Sequence, residues 1–293
     1  MAQREAQPQV DRRIPRWAAM LLARLAQDRP NVITRDDIAD YLEEIDSTRE
    51  VDRTVNDLVR LGWLNASRRK GVWTYLPPGE DEIIDPYVDL RAWAAGDPSA
   101  AFALAGEAAA WHLGYLDRRF TGPIAVWLPE GERPPFGIRD IVSVIRLGWP
   151  AAMQTQVGPS RSMLRKRGLD LTRWADGLPG FGPAALLVQL SSRPASFTPW
   201  ADLAVHIGEL VDDCEAEQLV TLLENQSSSA WQRAAYLLDL GGNVEAADDV
   251  LRRRPQTRLS HVTIGNGEVG RRSKKFGITD RLVAPLVEAA GKA

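Results

Sequence analysis

Between residues 15 and 76 the apolar positions change their spacing in an order that predicts three helices and then a hairpin. Trp17, Leu21 and Leu25 recur every four residues, one face of a helix running from Pro15 to about Gln27; proline suits the first helical position, whose N–H has no intrahelical partner in any case. Ile38, Tyr41, Leu42 and Ile45 mark a second helix, with Thr34 as its N-cap and Asp36 and Asp37 in the first turn, where the helix dipole favours anions. Val51, Val55 and Leu58 mark a third, opened by the S-x-x-E capping-box spacing of Ser47 and Glu50 and closed at Gly62. "WLNAS" and "VWTYL" then flank a tight "RRKG" turn and predict two paired strands. This is the order of a winged helix-turn-helix, so residues 1–77 are expected to form a DNA-binding domain of that kind.

"PPGEDEIIDP" breaks the pattern with proline, glycine and acid and predicts a linker over residues 78–86. From residue 87 to 293 the chain is expected to be a second, mixed α/β domain. "DPSAAFALAGEAAAWHLGYL" predicts a helix, "GPIAVWLP" and "IRDIVSVIRLGW" predict buried strands, and "GPAALLVQLSS" opens a helical stretch that continues over about 199–213, 215–225, 229–240 and 244–253. The fold class is therefore α+β, with strands early and helices late in the second domain.

Composition changes this picture little. Apolar residues make up 44% of the chain and charged residues 26%, close to the globular average, so a sizeable core is expected. No apolar run approaches the roughly 20 residues of a membrane span, and "MAQREAQPQVDRRIPR" lacks the apolar core of a signal peptide, so a cytoplasmic protein is expected. The lone cysteine, Cys214, fits a reducing compartment, and its surroundings "LVDDCEAEQLV" read as a helix face.

Charge matters through its distribution. The formal net charge is −3, yet residues 47–76 carry six basic side chains against three acidic ones. At about 100° per residue, Arg49, Arg53, Asn56 and Arg60 form one helical face, roughly opposite the valine-leucine face. Arginine can pair bidentately with guanine and asparagine with adenine, so Arg49 and Arg53, nearest the helix N-terminus, are the candidate base readers, and Arg60 the candidate phosphate contact. Arg68, Arg69 and Lys70 occupy the hairpin tip, where a wing would meet a neighbouring phosphate or the minor groove. Two further basic clusters, Arg161, Arg165, Lys166 and Arg167, and Arg271, Arg272, Lys274 and Lys275, are candidates for a surface facing an acidic partner or flanking DNA.

Enzyme chemistry has little support. His112, His206 and His261 are far apart and lack a metal-ligand spacing, and neither a G-x-S-x-G elbow nor a Walker A loop is present. Gly265, Gly267 and Gly270 match G-x-G-x-x-G, but a dinucleotide fold needs a long βαβ unit and an acidic residue about 20 positions on, where this chain is already ending. The three glycines are expected to form a turn, and no catalytic residue, metal or cofactor is expected.

With these parts in place the chain resembles the AbiEi family of antitoxins from AbiE-type bacterial toxin-antitoxin pairs. The resemblance rests on the order of "IPRW", "LVRLGWLNASRRKGVWTYLPP", "AAFALAGEAAAWHLGYL", "GLPGFGPAALLVQLSS" and "WQRAAYLLDLGG". It implies an N-terminal winged helix that represses its own operon by binding double-stranded operator DNA. It also implies a C-terminal domain that neutralises a nucleotidyltransferase-like toxin, with direct contact between the two left open. Carried over by position, the DNA contacts fall on Arg49, Arg53, Asn56, Arg60 and the Arg68–Lys70 tip, and two copies on one operator would appear as paired half-sites. One departure is acid: Asp36, Asp37, Asp40, Glu43, Glu44 and Asp46 on the second helix would repel phosphate if they faced DNA.

Two other readings stay open on the residues alone. A stand-alone winged-helix transcription factor could carry a ligand-sensing second domain; the absence of an adjacent toxin-like gene would favour it. A nuclease docking through its winged helix would reveal itself by metal-dependent cleavage.

Overall fold

The computed structural model describes residues 12–80, 83–119, 121–147, 171–173, 177–224, 226–256, 258–268 and 270–291. The chain divides into two compact units, residues 1–100 with 134–139 and residues 101–133 with 140–293, so the expected hairpin end at 77 and linker at 78–86 both lie inside the first.

In the first unit the order is α1 (Ala19–Asp28), β1 (Ile33–Thr34), α2 (Arg35–Glu44), α3 (Val51–Arg60), β2 (Leu64–Ala66) and β3 (Val72–Tyr75). A single 3-10 turn over Arg16–Ala18 leads into α1. Thr34 caps α2 as its spacing predicts: its hydroxyl accepts from the Asp37 N–H at 3.2 Å, and the Asp37 carboxylate accepts from the Thr34 N–H at 2.7 Å. The strands form an antiparallel sheet in the order β1-β3-β2, with Ile33 opposite Trp73 and Leu64 opposite Tyr75. The sequence reading missed β1, a strand of only two residues. Gly71, at φ 79°, turns the β2–β3 hairpin in a conformation that favours glycine. Leu21, Leu25, Ile33, Ile38, Val55, Leu58, Trp63 and Leu64 close one core between the helices and this sheet.

The start of α3 corrects the capping-box expectation. Its N-cap is Glu50, whose carboxylate accepts from the N–H groups of Asp52 at 3.0 Å and Arg53 at 2.8 Å. Ser47 instead accepts from the Arg49 N–H at 3.4 Å, a local turn in the segment before the helix. Arg49 therefore precedes α3 and is not part of its helical face.

A fourth helix, α4 (Val88–Gly96), packs on β1 and β3 where the sequence predicted no element. Val88 to Trp93 are all buried, so no amphipathic period announces it.

The second unit is built on a five-stranded mixed sheet, order β6-β5-β4-β8-β7, from β4 (Ala103–Leu104), β5 (Ile124–Trp127), β6 (Val142–Ile145), β7 (Leu171–Arg173) and β8 (Pro179–Phe181). "AFALAGEAAAWH", expected to be helical throughout, gives β4 first and then the short α5 (Gly106–His112). Gly106 makes that turn possible: at φ 51° its N–H donates to Gln189 Oε1 at 2.8 Å, and a Cβ would meet the Ala125 Cβ at 3.0 Å. α6 (Pro183–Ser192) is buried from Ala184 to Ser191 and forms the centre of the core. Leu186, Leu187 and Leu190 are fully buried there, each contributing roughly 1.5–3 kcal/mol.

Helices α7 (Trp200–Val205), α8 (Ile207–Asp212), α9 (Ala216–Leu223), α10 (Ser228–Leu240) and α11 (Val244–Arg253) follow; the helix expected over 199–213 is two, broken at His206, and the other three match their expected spans. Cys214, expected on a helix face, lies buried in the connection between α8 and α9. The expectation of strands early and helices late then holds only in part. A three-stranded sheet of β9 (Val262–Ile264), β10 (Arg271–Ser273) and β11 (Ile278–Asp280), order β10-β11-β9, comes after those helices and before α12 (Val283–Ala290). Gln232 of α10 fastens it, donating to the Ser260 and Phe276 carbonyls at 2.8 Å each and accepting from the Ser260 N–H at 3.3 Å. The buried Asp280 carboxylate accepts from the N–H groups of Leu282, Val283 and Ala284 and from the Tyr236 hydroxyl. Burial, and then the charge and hydrogen bond of Asp280, hold the Tyr236 hydroxyl well above its ordinary pKa. Gly265, Gly267 and Gly270 lie in the β9–β10 connection, and the element that follows them is strand β10.

Candidate nucleic-acid interface

α3 is two-faced. Thr54, Val55 and Leu58 are buried, while Asp52, Arg53, Asn56 and Arg60 are exposed. At roughly 100° per residue these four exposed positions fall within an arc of about 100°, opposite the buried one. Packing of Val55 and Leu58 against Ile38, Leu42 and Leu21 thus fixes which way the polar side chains project.

The candidate contacts separate into two groups. Arg53 and Asn56 are exposed on α3, and Lys70 is exposed at the hairpin tip. Arg60 is 78% exposed and pairs with Asp57 at 2.8 Å. Arg49 has other work: its guanidinium stacks 3.6 Å from the centroid of the Trp17 ring and pairs with Asp57, leaving its side chain 22% exposed. The tip arginines are similarly engaged within their own unit. Arg68 pairs with Asp89 of α4 at 3.3 Å and donates to the Gly137 carbonyl at 3.1 Å, and Arg69 donates to the Gly96 carbonyl at 3.3 Å.

Sequence reasoning passed over Arg35, the first residue of α2. Its Nε and Nη2 donate side-on to the two carboxylate oxygens of Asp52 at 2.8 and 3.2 Å, joining the N-terminal turns of α2 and α3. Each partner shifts the other: the hydrogen bonds raise the Arg35 pKa and lower that of Asp52. The available signal was an arginine directly after an N-cap, opposite in sign to what the dipole favours. Among the acids of α2, Asp37 serves its own helix cap and Glu44 pairs with Arg24 of α1 at 3.1 Å, while Asp36, Asp40 and Glu43 are exposed, as is Asp46 just beyond the helix end.

In the second unit Arg161, Arg165, Lys166 and Arg167 lie outside the described residues. The other basic cluster is partly structural. Lys275 pairs with Asp239 at 3.0 Å and Asp248 at 2.7 Å, and Arg271 with Glu288 at 3.6 Å. Arg272 and Lys274 are exposed along a cleft of about 450 Å³ that Tyr236 and Asp239 also line. The histidines are spread out: His206 contacts Asp117 and Glu209, His261 contacts Thr279, and His112 lies edge-on to Trp111. No cluster of metal-ligating side chains occurs among the described residues, and no helix among them is long and apolar enough to cross a membrane.

Comparison with known proteins adds family to geometry. No curated protein matches the chain. The crystal structure of the Rv2827c protein from Mycobacterium tuberculosis is 45% identical, covers 96% of this chain and 97% of its own, and superposes with a TM-score of 0.78. The model of the AbiEi antitoxin C-terminal domain matches residues 100–240. That segment holds β4 through α10, the core of the second unit; the chain belongs to the AbiEi antitoxin family.

Proposed function

We propose that this antitoxin binds double-stranded operator DNA and represses its own operon, with residues 1–77 acting as a winged helix-turn-helix, and that it neutralises a nucleotidyltransferase-like toxin. The observation that carries the DNA reading is the orientation of α3. A buried Thr54-Val55-Leu58 face fixes an exposed Arg53-Asn56-Arg60 face, in a helix-helix-hairpin order suited to placing such a helix in a major groove. Lys70 supplies a phosphate contact from the hairpin tip. The toxin half of the proposal rests on the family, whose antitoxins imply a cognate toxin. A protein that occupies its own operator acts in the cytoplasm, and paired half-sites would place two copies on one operator.

Expressing the chain with a reporter driven by the DNA upstream of its gene, and separately with the adjacent gene product, tests both halves. Repression of the reporter and rescue of growth from the neighbouring toxin are expected. Full reporter activity would remove the DNA half, and unrelieved toxicity would remove the toxin half.

A further inference from the structure

We propose that Arg35 is a base-reading residue of the DNA interface, and that Asp52 is the positioning residue that aims it. The inference rests on α3 being the groove-facing helix. Asp52 shares the exposed arc of α3 with Asn56, Arg60 and Arg53, at the N-terminal end that a recognition helix presents to the bases. Alone, a carboxylate there would repel phosphate. Its side-on pairing with Arg35 offsets that charge and holds the guanidinium plane at the mouth of the interface.

The donor geometry leaves Arg35 able to read. Asp52 takes Nε and one Nη2 hydrogen, so the end-on edge made by Nη1 and the second Nη2 hydrogen still presents a two-donor fork. That fork matches guanine O6 and N7. Stability is a poor explanation for the pair. Arg35 and Asp52 are 56% and 61% exposed, and exposed ion pairs contribute little to folding. An arginine in the first turn of α2 also opposes that helix's own dipole. The pair explains how α2, otherwise rich in exposed acid, can contribute a cationic group to a DNA-facing surface.

The test is selection from a randomised duplex library by the full-length wild-type chain, followed by affinity measurements on the selected duplex and its single-base substitutions for Arg35→Lys, Arg35→Ala and Asp52→Asn. Wild type is expected to select a sequence with a guanine whose substitution weakens binding on the order of 10- to 100-fold, the range of a bidentate base contact. Arg35→Lys keeps the charge and should lose that preference with little change in salt dependence, whereas Arg35→Ala should lose both. Asp52→Asn should bind DNA of any sequence more tightly, because a negative charge is gone, yet discriminate less at the same guanine. Unchanged discrimination in Asp52→Asn, or base preferences in Arg35→Lys identical to wild type, would overturn the assignment while leaving the DNA-binding reading intact. A wild-type chain that selected no sequence would overturn both.

Discussion

Arg49 stacks on Trp17 and shares the carboxylate of Asp57 with Arg60, so one aspartate joins the segment before α3 to the last turn of that helix. The arginine nearest the start of α3 is therefore a strut between α3 and the turn leading into α1. Arg49→Ala is expected to destabilise the first unit by about 1 kcal/mol, from a partly buried cation-π contact and a half-screened ion pair. Arg53→Ala should leave stability within about 0.5 kcal/mol of wild type and lower DNA affinity. Thermal denaturation beside DNA binding distinguishes them; an Arg49→Ala protein that melted like wild type would show that the strut contributes nothing.

The wing tip divides in the same way. Arg68 and Arg69 are tied to Asp89, Gly137 and Gly96, whereas Lys70 is exposed. Lys70→Ala should weaken binding to all sequences alike and reduce the slope of log affinity against log salt by about 1, the signature of one lost phosphate contact. Arg68→Ala should change that slope little and act on stability instead. Equal loss of slope in both variants would mean that Arg68 leaves Asp89 when DNA binds.

Gln232 ties α10 to the late sheet through three hydrogen bonds, to Ser260 just before β9 and to Phe276 in the β10–β11 turn. Gln232→Leu would strip partners from the Ser260 N–H and the carbonyls of Ser260 and Phe276. At about 1–3 kcal/mol for each buried group left unsatisfied, a loss of several kcal/mol is expected. Hydrogen exchange at β9 and β11 should rise with it; protection equal to wild type would contradict the tie.

How far these features could be read from sequence depends on whether they are local. Thr34 and its carboxylate partner, the alternating apolar face of α3 and the turn at Gly71 are each set by residues within a few positions, and the pattern located them. α4 escaped because it is buried on every side over Val88–Trp93, and its buried Asp89 and Arg91 read as surface residues. β1, β4, β10 and β11 escaped because strands of two or three residues show no alternation of their own; β2, equally short, was marked by the turn beside it. The S-x-x-E spacing was real but selected the wrong cap, since spacing cannot say whether Ser47 or Glu50 adopts the extended backbone beside the helix. The stripe of four included Arg49 for the same reason. The Arg35–Asp52 pair joins residues 17 positions apart, and only the packing of α2 on α3 brings them together.

The central claim is tested most directly by equilibrium binding of the full-length chain to duplex DNA from upstream of its own gene, beside a combined Arg53→Ala, Asn56→Ala and Arg60→Ala variant. These exposed side chains lie outside the core, so the variant should melt with wild type while its affinity for that duplex falls by on the order of 100-fold or more. A folded variant that bound the duplex as tightly as wild type would contradict the assignment of α3 as the DNA-reading helix.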